Sequence, residues 1–435
     1  MTKTSINFAE FSHLHLVGSG GIGMLGLKNW LNSAKYYITC SDDAEENPSN
    51  IPEELPVDAD CLVISSAIKN DHPQCSYARE NRIPILHRST CVKYLMSSNS
   101  ISVSGAHGKT TSSAILAYVL NKYYRNTSFL VGGILKNLGT SAQLKPDGWC
   151  VVEADESDDS MNRMSGQYHL LTNLAEEHID YYKTFENYLN RMNHFANACQ
   201  ILVCHESCRP HITRADVIYY DNDKIYISNV SVSETKTTFD AVGPWGEYKN
   251  LHIRIPGEQF AMNALGCLTI LHSIGVNEEQ IRDGFGSFIG VEKRMDIIKH
   301  EGLTLIADYA VHPTEVEMVI RAARKIYPNK KLSIIWEPHR FSRLRYKDNL
   351  PRFIHILSDN VETAVLPIWA ASEEVDEELS GEKLAEILKG KYLSNLDDII
   401  KYIECNSSEN KAVIAFGAGQ VHKMVKKAVQ IIKDE

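Results

Sequence analysis

No run of about 18 uncharged apolar residues occurs anywhere in the 435-residue chain, so no membrane-spanning helix is expected. Basic excess is missing too. The chain has 45 Lys and Arg against 55 Asp and Glu, a formal charge of −10 with no Lys/Arg block, which argues against a nucleic-acid backbone as partner. The opening stretch MTKTSINFAEFSHLHLV lacks a basic segment followed by a long apolar run, and a cytoplasmic location is expected. Internal repeats and low-complexity tracts are absent. So is a disulfide framework: ten cysteines lie scattered through the chain and read as reduced thiols. Only Cys199, Cys204 and Cys208 cluster, near His205 and His211, and their irregular spacing matches no common zinc pattern, so buried thiols are expected there.

What is present is an alternation. At this length about three domains of ~150 residues are expected. Short apolar runs at 14–18 (LHLVG), 38–41 (ITCS) and 61–66 (CLVISS), separated by helical or turn-like stretches, have the β-α-β rhythm of a parallel sheet. A polar SSNS near Met96 to Ser100 suggests a first domain boundary. Strands follow at 101–104, 149–154 and 168–173, then a β-rich stretch near 216–255. After IRDGFGSFIGVEKR the rhythm restarts with LTLIADY, LSIIWEP and TAVLPIW, and closes with VIAFGAG before a basic amphipathic helix.

Residues 103–111, VSGAHGKTT, place a glycine turn and a lysine between a strand and a helix. Backbone N–H groups and the positive end of the helix surround phosphate oxygens in such a loop, with Lys109 reaching the outer phosphates and Thr110 placed for magnesium. The insert is shorter than the usual P-loop. Glu153-Ala154-Asp155-Glu156-Ser157-Asp158 ends the next strand, where open α/β sheets put their ligand groups. A solvated acidic loop is the plain alternative, but beside a nucleotide the carboxylates read as the magnesium partner. TNLAEEHIDYY then sets His178 among acids after another strand. Near the start, Gly18-Ser19-Gly20-Gly21-Ile22-Gly23 fits a dinucleotide fingerprint with Asp42 about 20 residues on, so a nicotinamide-dependent dehydrogenase is a competing reading that leaves the phosphate loop unexplained.

Together GSGGIGM, SSAI, GAHGKTT, EADESD, TNLAEEHIDYY, IPGEQFAMNAL, ADYAVHPTEV, EPHRFSR and FGAG resemble, in order and over nearly the whole chain, the segments of the Mur ligase family. The resemblance is to the members that add L-alanine to UDP-N-acetylmuramate, the first peptide-forming step of bacterial cell-wall precursor synthesis. It implies an α/β chain of three domains: an N-terminal Rossmann-like parallel sheet for the sugar nucleotide at 1–98, a central P-loop ATPase at 99–292 and a C-terminal Rossmann-like domain at 293–435. Gly105, Ala106, His107, Gly108, Lys109, Thr110 and Thr111 would hold ATP, with Asn263, Arg294 and Asp308 as further nucleotide contacts. Thr110 and Glu153 would share one Mg2+ (or Mn2+), and His178 would hold a second metal. Gly20, Gly21, Ile22, Gly23, Asp42, Ser65, Ser66, Arg88 and His312 would contact substrate, while Arg340 and Arg343 would face the incoming amino acid and the reaction centre. The implied catalytic set is Lys109, Glu153, His178, Arg340 and Arg343, in a monomer or homodimer.

Several positions depart from the family pattern. Gln259-Phe260 replaces a His-Asn pair, and Phe260 is expected to stack on the base or fill the core. Val311-His312 replaces paired histidines, Ala307 an acid, Glu337 a glutamine, and Ser160-Met161-Asn162 a Ser-Phe-Leu. A murein-peptide recycling ligase of the same family and a non-catalytic nucleotide-binding homologue are therefore alternatives.

Overall fold

The segments HLHLV at 13–17 and SISVS at 100–104 alternate Leu, Ile or Val with His or Ser yet are buried along their whole length, which is the signature of strands covered on both faces of a parallel sheet. The computed structural model describes residues 8–41, 55–56, 58–164, 166–358, 362–371 and 373–434. Two units are distinguished by their packing, one of Met1–Asn229, Phe239–His252 and Met262–Val291, the other of Val230–Thr238, Ile253–Ala261 and Glu292–Glu435.

In the first unit β1 (His13–Val17), α1 (Ile22–Ser33), β2 (Tyr37–Ser41), β3 (Cys61–Ile64), α2 (Pro73–Glu80), β4 (Ile85–His87) and α3 (Arg88–Leu95) build a four-stranded parallel sheet, order β2-β1-β3-β4. Next come β5 (Ser100–Ser104), α4 (Lys109–Tyr123), β6 (Ser128–Leu135), β7 (Thr140–Gln143), β8 (Cys150–Glu153), β9 (Tyr168–Leu171), α5 (Ile179–Tyr182), α6 (Phe185–Asn197), β10 (Ile201–His205) and β11 (Val217–Tyr220). Their strands form a seven-stranded sheet, order β11-β10-β9-β5-β8-β6-β7, in which β7 alone is antiparallel to its neighbour. The strands β12 (Tyr226–Val232), β13 (Thr237–Gly243) and β14 (Gly246–Ile253) make a three-stranded sheet, followed by α7 (Glu258–Ser273) and α8 (Glu278–Ser287).

The second unit contains β15 (Asp296–His300), β16 (Leu303–Asp308), α9 (Pro313–Ile326), β17 (Lys331–Trp336), α10 (Phe341–Arg345), α11 (Asn349–Ser358), β18 (Glu362–Val365), α12 (Gly381–Ile387), β19 (Lys391–Tyr392), α13 (Leu396–Cys405), β20 (Lys411–Phe416) and α14 (Val421–Asp434). Its sheet runs β15-β16-β20-β17-β18-β19, with only β15 antiparallel. The α/β class expected from the sequence is the class observed.

One apolar core joins the two large sheets of the first unit. Trp30 of α1 is its pin: the indole is fully buried and donates Nε1–H to Phe129 O of β6 at 3.0 Å, so the polar atom of a large apolar group finds a partner. The clustered cysteines flank and enter β10: Cys199 precedes it and is half-buried, Cys204 lies on it and Cys208 just after it, both buried thiols. Met161 fills the same core, which accounts for an apolar side chain in the altered triplet after the acidic strand end.

Phe260 sits in the first turn of α7 at 4% exposure, so of its two expected roles the core role is the one its burial supports. Replacing it with Ala removes an aromatic ring from a packed interior. Phe260→Ala is expected to lower the unfolding free energy by ~3–5 kcal/mol and to leave the Michaelis constant for ATP in place. Chemical denaturation and steady-state kinetics check the two halves separately.

Candidate active site

The phosphate loop is a turn that only small residues can make. β5 ends at Ser104 and α4 begins at Lys109; between them Gly108 has φ +83°, and a Cβ there would come within 2.5 Å of Asn263 Oδ1. The end of β9 ties the loop down. Asn173 Oδ1 accepts the His107 N–H at 2.9 Å, Asn173 Nδ2 donates to His107 O at 2.9 Å, and the Thr172 hydroxyl donates to the same oxygen at 2.6 Å. Ala106 and Thr111 are buried beneath it.

Lys109 does not reach into solvent. Its ammonium donates to Gly105 O at 2.7 Å, Ala106 O at 3.2 Å and Glu156 Oε1 at 2.8 Å. Burial alone would strip its proton, but the charge of Glu156, followed by that of Asp155, holds its pKa above the ordinary lysine value. Glu156 is itself fully buried, and its Oε2 has no hydrogen-bond partner among the described residues. Beside this pair the Thr110 hydroxyl donates to Glu153 Oε1 at 2.9 Å, and the Gly132 N–H donates to Glu153 Oε2 at 2.6 Å. Burial raises the Glu153 pKa, against the opposing charge of Lys109.

His178 caps α5 from the left-handed region, φ 57°. Its Nε2 lies 3.4 Å from Glu156 Oε1 and 3.6 Å from Glu177 Oε2, and His107 Nε2 lies 3.5 Å from Glu177 Oε1. Burial pulls the His178 pKa down, but its hydrogen bond and charge interaction with Glu156, and then the charge of Glu177, raise it overall. Ligand atoms of Glu156, Glu177 and His178 fall within 4.8 Å of one another, close enough to hold one cation. The sequence reading left Glu156, Glu177, Thr172 and Asn173 without individual roles. Nothing in EADESD separates one carboxylate from the next, but a lysine under a phosphate loop needs a counter-charge when no nucleotide is present.

The expected sugar-nucleotide residues gather at the carboxyl edge of the four-stranded sheet. Gly20 to Gly23 form the turn from β1 into α1, with Gly21 as its N-cap and Ile22 exposed. Asp42 lies outside the described residues. Ser65 and Ser66 follow β3, and Arg88 opens α3 close enough to Gly23 that a Cβ there would meet its guanidinium at 2.8 Å. Ser66 donates to Asp158, and Arg88 NH2 lies 3.7 Å from the same carboxylate and 3.9 Å from Asp155.

The second unit arranges its expected residues at the carboxyl ends of β16 and β17. Asp308 accepts the Met295 and Ala310 N–H groups, each at 2.9 Å, and burial raises its pKa to about 6 against the nearby charge of Arg294. Arg294 lies over the Tyr309 ring, 5.2 Å from the centroid. His312 caps α9, accepting the Thr314 N–H at 3.3 Å, and Glu315 accepts the N–H groups of Val311 at 3.0 Å and His312 at 3.3 Å. Arg340 has φ 61° and a buried Nε without a hydrogen-bond partner among the described residues, and Arg343 lies on α10. His339 beside them has its pKa pushed down to about 3, first by burial and then by the Arg343 and Arg340 charges.

Removing the Glu156 charge should expose how much the phosphate loop depends on it. Glu156→Gln is expected to destabilise the nucleotide-free protein by about 3 kcal/mol, because it leaves the Lys109 ammonium buried without a counter-ion. Phosphates supply that counter-charge, so ATP should raise the melting temperature more in the variant than in the wild type. Thermal melts with and without nucleotide decide it.

Family comparisons cover the same segments. Residues 13–100 match the Mur ligase family catalytic domain, 103–271 the Mur ligase middle domain and 293–419 the Mur ligase glutamate ligase domain. The UDP-N-acetylmuramate--L-alanine ligase of Carboxydothermus hydrogenoformans is 30% identical over 94% of this chain and 95% of its own length. That of Aquifex aeolicus is 28% identical over 94% of this chain and 95% of its own. Among solved structures, the UDP-N-acetylmuramate-alanine ligase of Thermotoga maritima shares the fold with a TM-score of 0.81 at 22% identity, covering 97% of this chain and 99% of that one. With the matched segments spanning the phosphate loop, the acidic strand end and the arginine-bearing edge alike, the chain belongs to the Mur ligase family.

Proposed function

We propose that this chain is an ATP-dependent ligase that joins L-alanine to UDP-N-acetylmuramate in the cytoplasm, making a peptidoglycan precursor. The observation that carries the reading is the convergence of Lys109, Thr110, Glu153 and His178 on one phosphate loop. A dehydrogenase has no use for that group. Phosphate release from ATP in the presence of UDP-N-acetylmuramate and a panel of amino acids tests the assignment directly.

The chemistry explains the residues. A carboxylate is a poor acyl donor, so one of its oxygens attacks the γ-phosphorus and ADP departs, leaving an acyl phosphate. The amine of L-alanine then attacks the acyl carbon, phosphate leaves, and an amide remains. Negative charge crowds this path, and Lys109, released from Glu156 by the incoming phosphates, supplies one compensating charge. The all-oxygen pair of Thr110 and Glu153 suits a hard cation, and Glu156, Glu177 and His178 form a second ligand set with a buried free oxygen on Glu156. Mg2+ or Mn2+ held there neutralises phosphate charge when bound. Arg340 and Arg343 offer planar forks to the amino-acid carboxylate. Closing off water protects the acyl phosphate from hydrolysis.

Lys109→Ala is expected to reduce ligation about a thousandfold or more, since a charge at the outer phosphates is worth several kcal/mol in the transition state, in a protein that still folds but is less stable because buried Glu156 loses its partner. Coupled phosphate-release kinetics alongside circular dichroism measure both. On the acceptor side Val311 stands where a histidine is usual, and its side chain offers no hydrogen bond. A site rejects analogues most strongly through buried polar groups left unpaired, whereas one methylene in an apolar pocket discriminates by only ~1–3 kcal/mol. Glycine and L-serine should therefore compete with L-alanine more closely in the wild type than in Val311→His, as read from the three specificity constants.

A further inference from the structure

Trp369 is the most exposed of the five tryptophans, all of them among the described residues, with 39% of its surface open. Its position is tightly held. The chain after β18 continues pairing with the chain after β17 beyond the strand ends: Trp369 N–H donates to Pro338 O at 2.8 Å, Arg340 N–H donates to Trp369 O at 2.9 Å, and His339 and Trp369 form a parallel bridge. Behind the ring lies Gly419, where a Cβ would come within 2.5 Å of the indole Cγ and Cδ2. The segment that follows is stapled to α10, the helix carrying Arg343. Glu373 accepts from the Ser342 N–H at 3.0 Å and from the Ser342 hydroxyl, and Asp376 accepts from Arg345 Nε at 2.6 Å and NH2 at 3.0 Å.

An indole with 39% of its surface open leaves part of an apolar face unburied, and a backbone clamped on both sides leaves it little room to fold away. Its immediate neighbour Arg340 holds a buried Nε–H that no group of the described protein accepts. A rigid apolar wall beside an unpaired guanidinium donor fits a small amphipathic acid: carboxylate on the arginine, side chain on the ring.

Resting on the ligase reading, we infer that Trp369 is a specificity-determining residue, forming the wall against which the side chain of the incoming amino acid packs while Arg340 takes its carboxylate. Gly419 and the stapled segment stop the ring from retreating, so a methyl fits and longer side chains are turned away.

The test uses the full-length enzyme, with Trp369→Ala and Trp369→Phe, and measures specificity constants for L-alanine, L-2-aminobutyrate and L-valine together with the Michaelis constants for ATP and UDP-N-acetylmuramate. The expected result is a preference for L-alanine over L-2-aminobutyrate that falls about tenfold in the Ala variant and less in the Phe variant, the other two Michaelis constants holding. Unchanged preference in both folded variants overturns the inference. So does a rise in the Michaelis constant for ATP with preference intact, which would make the ring a nucleotide contact. If the wild type ligates none of the three amino acids, the ligase reading itself fails and the inference falls with it; ligation with unaltered preference removes the inference alone.

Discussion

A half-buried lysine facing a fully buried glutamate is the constraint on which the nucleotide site depends. Lys109 and Glu156 lie 2.8 Å apart beneath the phosphate loop, and neither charge could be kept there alone. Their pairing fixes the first turn of α4 against the end of β8, and two loop carbonyls accept the remaining ammonium protons. The arrangement stores a substitution. On the proposed function, phosphate oxygens would take over the lysine and free Glu156 to join Glu177 and His178 around a cation, so nucleotide binding would exchange one set of charge partners for another without stranding a charge.

Carboxylates do a related job in the second unit, where they hold strand-end loops by their backbone. Glu337 accepts the N–H groups of Gly419 at 2.7 Å and Gln420 at 2.8 Å with separate oxygens, and that of Val421 at 3.2 Å. Asp308 and Glu315 each take two backbone N–H groups in the neighbouring loops. Negative groups at helix starts are favourable, and here they also set the direction of the loops that carry Arg340 and His312. The edge is shaped by backbone capture rather than by packing alone.

Much of this was legible in the sequence, because periodicity and glycine placement are local signals. The strand before the phosphate loop and the helix after it fall within a residue or so of their expected limits, and the Thr110 hydroxyl donates directly to Glu153, the residue with which it was expected to share a metal. β6 was not foreseen. Its Gly132-Gly133 pair reads as a breaker, yet the glycines are there because Glu153 and Val291 approach too closely for side chains: Cβ atoms would meet them at 2.7 and 2.4 Å. β10 hid among cysteines and histidines, and β15 was missed because an antiparallel edge strand follows no β-α-β rhythm. The individual roles of Glu156 and Asp158 were beyond reach for another reason. Burial separates them, and burial is decided by residues far away in the chain.

The departures from the family pattern divide along physical lines. Glu337 in place of glutamine keeps the shape and improves the fit, since three N–H donors converge on it and an amide has only one accepting oxygen. Ala307 is buried on β16, where an acid would need a partner of its own. Met161 packs in the core as its aromatic counterpart would, and volume-conserving apolar exchanges are the ones interiors tolerate best. These three can be understood without any change in chemistry. Val311 is different in kind, because its backbone is held by Glu315 exactly where a polar side chain is replaced by an apolar one. The loop's backbone is held while its side chain changes from polar to apolar, which is why acceptor selection is the property proposed to respond to this substitution and not to the others.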